Sequence, residues 1–129
     1  MNLRNVFIVN AVLGIIFGLA FLLMPAQTTA LYGVDLTEGG LFVTRLLAAE
    51  FITLGILAWL VREMEASATR QTIVMAYFIS NTLGFLVSLY AQLTGVVNGL
   101  GWTTVIIYLL LALAFGYFQF MRQPQPRTT

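Results

Sequence analysis

The sequence predicts an all-α fold: a polytopic membrane protein with four transmembrane helices in a compact up-down bundle, both termini cytoplasmic. Three observations predict it. Only 9% of the 129 residues are charged, against about 25% in a typical soluble domain. The chain is 60% hydrophobic, with a mean hydropathy of +0.92. Four windows also reach the ~20 mostly apolar residues needed to cross roughly 30 Å of hydrocarbon. They are residues 6–24, 41–61, 73–93 and 102–121. Residues 1–122 then form a single transmembrane domain, and 123–129 a polar, Pro-rich cytoplasmic tail with the composition of a solvated segment.

The first window, Val6–Met24, contains no charge and one amide, Asn10. Arg4 ahead of it and the Thr28-Thr29-Ala30 stretch behind it loosely resemble a signal peptide. The apolar run exceeds the ~7–15 residues of a signal core, so a retained helix is expected. Pro25 should stop this helix, and Gly33, Gly39 and Gly40 should break the following loop. The second window, Leu41–Val61, carries Arg45 and Glu50. After it, the mixed-charge stretch 62–70 reads as a short helical extension. The third window, Ile73–Leu93, is uncharged but holds Ser80, Asn81, Thr82, Ser88 and Gln92. Asn98-Gly99-Leu100-Gly101 makes a tight turn into the fourth window, Trp102–Met121.

Arginine sets the expected orientation. Arg4, Arg62, Arg70, Arg122 and Arg127 fall on one side of a four-span arrangement. The loops on the other side, 25–40 and 94–101, have no basic residue and carry Asp35 and Glu38. The positive-inside rule places the arginine side, and both termini, in the cytoplasm. Trp59, Tyr90 and Trp102 fall near span ends, where amphipathic rings prefer the interface. A faint duplication is visible: Asn10 with Gly14 in the first span resembles Asn81 with Gly84 in the third. Two hairpins of equal orientation would give a parallel repeat.

Lipid removes the hydrophobic drive between helices, so small residues and polar contacts must hold them together. Gly14 and Gly18 make a small-residue stripe in the first span, and Ser80, Gly84 and Ser88 make another in the third. The second span offers Ala48, Ala49 and Gly55. These faces pack the chain against itself or against another subunit, and the pattern alone does not separate the two.

Arg45 and Glu50 are the most informative intramembrane pair, because a charge at a span centre costs roughly 2.5–3.5 kcal/mol. Arg45 lies near the outer end of its window and is able to snorkel, whereas Glu50 lies near the midplane. Five residues apart, they point about 140° away from each other around the helix. Asn81 shares the depth of Glu50, and a Glu50–Asn81 hydrogen bond is expected. Tyr108 and Thr104 match Arg45 in depth. Asn10, shallow and close to the cytoplasmic face, is expected to cap or meet lipid. Three roles stay open for Glu50: a neutral packing group, a contact to a partner subunit, or a proton- or solute-coupling group.

Much chemistry is excluded. The chain has no Cys, His or Lys, which removes disulfides, thiolate and histidine metal sites, His-ligated haem, catalytic triads and Schiff bases. No second acid lies within a span, and no Gly-rich phosphate loop follows a strand. The small net charge of +1 gives no reason to expect nucleic acid. No enzyme activity, cofactor or metal is expected.

The stretch Leu31-Tyr32-Gly33-Val34-Asp35-Leu36, followed by Thr44-Arg45-Leu46-Leu47-Ala48-Ala49-Glu50-Phe51 and by Leu54-Gly55-Ile56-Leu57-Ala58-Trp59-Leu60-Val61-Arg62, resembles small bacterial four-helix membrane proteins related to the DoxX-like group. The resemblance covers about the first half of the chain. It implies four helices and a bacterial inner membrane, and it transfers no catalytic residue. The leading functional expectation is a non-catalytic accessory or structural subunit of a larger membrane complex. Its surroundings are membrane lipids, and its partners are other membrane subunits or further copies of itself. A small oligomeric transporter or channel with Glu50 titrating is the first alternative. A binder of membrane lipid or another hydrophobic ligand is the second.

Overall fold

The computed structural model describes residues 2–121, and the expected polar tail lies outside them. The described residues are all-helical: α1 (Leu3–Leu23), α2 (Pro25–Leu31), α3 (Glu38–Val61), α4 (Ala68–Leu93) and α5 (Gly101–Gly116), with α5 running into a wider π turn at Tyr117–Met121. Four helices are long and apolar enough to cross a membrane: α1, α3, α4, and α5 with its π turn.

Local chemistry explains the boundaries. Asn2 caps α1 by accepting from the Asn5 amide at 3.0 Å. Thr37 does the same for α3 through Gly40 at 3.1 Å, and Ser67 for α4 through Arg70 at 3.1 Å. The stretch after α3 therefore departs from the expected helical extension. Arg62–Ser67 is an irregular turn, because the Ser67 side chain starts a new helix instead of prolonging the old one. Pro25 interrupts α1 as expected, but it also takes the first position of α2, where its missing N–H costs nothing. The outer loop thus contains a helix that the expected boundaries omit.

The spans associate as two antiparallel hairpins, α1 with α3 and α4 with α5. In the first, α1 and α3 approach through glycine. A Cβ on Gly14 would lie 3.0 Å from the Phe51 carbonyl oxygen and 3.3 Å from Gly55 Cα. One on Gly18 would lie 3.1 Å from the Ala48 carbonyl oxygen. Gly14, Gly18, Ala48 and Gly55 therefore pack the chain against itself. Ala49 does not belong with them: it is exposed, one residue past the buried Ala48. In the second hairpin, Gly84 accommodates the Tyr108 ring and Gly116 the Phe78 ring.

The hairpins meet around three aromatic rings. Phe7 stands edge-on to Tyr77 and Phe115, with centroids 5.7 and 5.4 Å away, while Tyr77 stacks on Phe115 at 5.2 Å. Edge-to-face and offset contacts of this kind add to the dispersion gained by burial. The Tyr77 hydroxyl then donates to the Leu54 carbonyl, joining α4 to α3.

The two ends differ in chemistry. At one, Arg4 pairs with Glu63, and Arg70 donates to the Met64 carbonyl at 3.2 Å. Arg62 lies 3.7 Å over the Trp59 ring. At the other, Asn98 donates through its backbone to the Tyr32 carbonyl at 2.9 Å and through its side chain to the Leu31 carbonyl at 3.0 Å. Gly33 and Gly95 supply the left-handed backbone in these outer turns, with φ of +77° and +76°.

Candidate functional site

Two features stand out: a cavity between the hairpins, and a charged outward face on α3. The cavity has a volume of about 460 Å³. It is lined by residues of α1, α3, α4 and α5, among them Tyr77 and Leu54, which share a hydrogen bond. Asn10, Tyr77 and Asn81 form its inner end, and Tyr32, Ala91 and Thr104 its outer end. Leu47, Leu83 and Val87 line it and are also exposed on the outer surface, so it opens sideways between α3 and α4.

The polar chemistry of this cavity comes from two amides. Asn81 donates to the Tyr77 carbonyl at 2.8 Å and to Asn10 Oδ1 at 3.3 Å. This overturns two expectations. Asn81 bonds Asn10 and not Glu50, and Asn10 is a buried interhelical partner and not a cap or lipid contact. Equal depth on two helices fixes a level in the membrane, but it does not make the residues neighbours. Tyr108 and Ser80 line the same cavity, and neither hydroxyl has a hydrogen-bond partner among the described residues. Ser88 also lines it but commits its hydroxyl to the Phe85 carbonyl at 3.1 Å. Thr104 bonds the Tyr32 hydroxyl at 3.4 Å, so neither Thr104 nor Tyr108 meets Arg45.

Arg45 and Glu50 are both exposed on α3 and lie outside the cavity wall. Neither has a hydrogen-bond or ion-pair partner among the described residues. With α3 starting at Glu38, Glu50 lies about 18 Å along a helix of roughly 36 Å, at 1.5 Å per residue. Arg45 is about 10 Å along the same helix. The exposed Leu46, Leu47, Thr53 and Leu57 surround Glu50 on its face. Leu54, four residues beyond Glu50, turns inward and lines the cavity. Sequence periodicity could not tell that the face points outward.

No cluster of acidic residues among the described residues is placed to hold a metal ion. The fold and site define a class: an all-helical protein with four span-length helices, a laterally open apolar cavity and an outward ionisable pair. Comparison with family models, with curated proteins and with solved structures gives no match.

Proposed function

We propose that the protein is a non-catalytic accessory subunit of a larger assembly in a bacterial inner membrane, a four-helix bundle with both termini in the cytoplasm. The observation that carries this reading is the outward placement of Glu50 and Arg45 without partners in the chain. An isolated ionisable group facing hydrocarbon at mid-span costs a few kcal/mol, and membrane proteins place such groups against another helix or in a water-filled space. Because the two side chains point about 140° apart around α3, hydrogen-bonding or charged partner groups on two sides of the helix would satisfy them. The exposed Ala49 and Thr53 on the same helix leave room for close approach. The end that carries Arg4, Arg62 and Arg70 supports the cytoplasmic assignment. The likeness of the first half to DoxX-like proteins supports the bacterial membrane.

The test is gentle extraction from native membranes, affinity purification and mass spectrometry of whatever travels with the chain. Stoichiometric recovery with larger membrane subunits is expected. Glu50→Gln should preserve that recovery, because an amide keeps the size and hydrogen-bonding capacity of the carboxyl, and Glu50→Leu should abolish it. Recovery of the chain alone, or only as a homo-oligomer, sinks the accessory reading. It would leave the transporter alternative, whose path would then run past Glu50 between copies.

A further inference from the structure

We propose that the cavity between the hairpins binds one neutral single-chain amphiphile with a hydroxyl head, which enters sideways between α3 and α4. The size argument comes first. At ~30 Å³ for a water-sized group such as a methylene, about 460 Å³ accommodates roughly fifteen groups. That is one chain of a long-chain alcohol or monoglyceride. The volume also falls within the ~300–1,000 Å³ of ordinary small-molecule sites.

The head must be uncharged. No Arg, Asp or Glu lines the cavity, and a charged group there would be buried without a counter-ion. The head must also hydrogen-bond. Asn10 and Asn81 are only 8% and 4% exposed, and they share a single bond. Nδ2 of Asn10 and Oδ1 of Asn81 therefore have no partner among the described residues. Neither atom is fully closed off, and both residues line the cavity, so a bound group there is able to reach them. Exchanging N and O in the two amides still leaves one donor and one acceptor. A hydroxyl both donates and accepts, so one alcohol satisfies the pair, whereas an ester or ketone carbonyl satisfies only the donor. The unpartnered Tyr108 and Ser80 hydroxyls stand along the same wall. The chain runs over Phe17, Phe51 and Val87 toward the outer end. At the inner end the lining ring is Tyr77, backed by Phe7 and Phe115. This inference does not rest on the accessory-subunit reading, since neither Arg45 nor Glu50 lines the cavity, although Leu47 borders both.

The test uses the purified full chain in phosphatidylcholine nanodiscs and hexadecanol carrying a mid-chain diazirine. Photolabelling should saturate, be competed by plain hexadecanol, and map to residues 51–54 and 83–87. Palmitate at pH 8 should compete at least tenfold less well. Asn81→Leu should weaken capture roughly five- to tenfold, the worth of one or two hydrogen bonds. Because that change touches the bundle interior, Val87→Trp at the mouth, where Val87 is 70% exposed, provides a second variant. It should cut saturable capture at least fivefold while leaving thermal unfolding unchanged. Non-saturating label, equal competition by palmitate, or undiminished capture by Val87→Trp overturns the proposal.

Discussion

The seam between α1 and α3 permits a quantitative test through Gly55→Ala. A methyl at Gly55 would sit 3.0 Å from the Ala11 carbonyl oxygen, 3.1 Å from the Ile15 nitrogen and 2.9 Å from Ile15 Cγ1. Ile15 Cγ1 is able to rotate away, but the two backbone atoms are not. Ordinary contact begins at 3.4 Å, so the helices must separate by several tenths of an ångström at this point. A gap of 0.5–1 Å forfeits a quarter to a half of each dispersion well, itself ~0.1–0.2 kcal/mol per atom pair. Over a few tens of atom pairs along the seam, the loss is about 1–2 kcal/mol. This agrees with the ~1–3 kcal/mol usual for overpacking. In water, alanine would recover about 1 kcal/mol of helix propensity. In a bilayer the separated helices are already helical, so that compensation is absent. Reversible unfolding in bicelles should therefore show Gly55→Ala destabilised by about 1–2 kcal/mol. Gly39→Ala is the control: its nearest neighbour would be 3.9 Å away, and it should stay within about 0.5 kcal/mol of wild type. The double variant Gly14→Ala/Gly55→Ala should cost less than the sum, because one separation relieves both clashes. A Gly55→Ala protein as stable as wild type, or strict additivity in the double variant, would refute the close-packed seam.

Two further outcomes are expected. Tyr77→Phe removes the hydroxyl that joins α4 to Leu54 and should cost roughly 0.6–1.7 kcal/mol, the range for interhelical hydrogen bonds in membranes. Hydrogen exchange in the middle of α3 should quicken at the same time, and unchanged exchange would remove this contact as the tie between the hairpins. Phe115→Ala empties a site of zero exposure between Phe7 and Tyr77. It should destabilise by less than the ~3–5 kcal/mol seen in aqueous cores, because the unfolded reference is also apolar and only packing is lost. A larger loss in the same unfolding assay would show that water enters the space.

Span-length helices were legible in the sequence, and most of the contacts between them were not. Span lengths followed from hydropathy, and the expected ends differ from those of α1, α3 and α4 by a few residues because capping by Asn2, Thr37 and Ser67 extends each helix past its apolar run. The small-residue stripes marked the α1–α3 seam correctly at Gly14, Gly18, Ala48 and Gly55. Ala49 failed, because one residue turns the helix by about 100° and carries the side chain off the seam. The Glu50–Asn81 pairing failed for a related reason. Depth is a one-dimensional coordinate, whereas contact also needs the rotation of each helix and the order in which helices surround one another. The cavity was not legible, because it is a property of the assembled helices, lined by residues of all four long ones.

The pairing of helices within each hairpin also bears on how the chain is made. At synthesis rates of ~5–20 residues per second, the 60 residues from 62 to 121 take roughly 3–12 s to emerge. During that interval α1 and α3 already possess their whole glycine seam, since its contacts come from residues 11 to 55. The first hairpin can therefore leave the insertion machinery as a finished unit, while Phe7 and Asn10 wait for Phe115 and Asn81. Until the second hairpin arrives, a ring and an amide face lipid. Assembly in that order would end on the lateral docking of two preformed halves, joined where Phe7 and Asn10 meet Phe115 and Asn81.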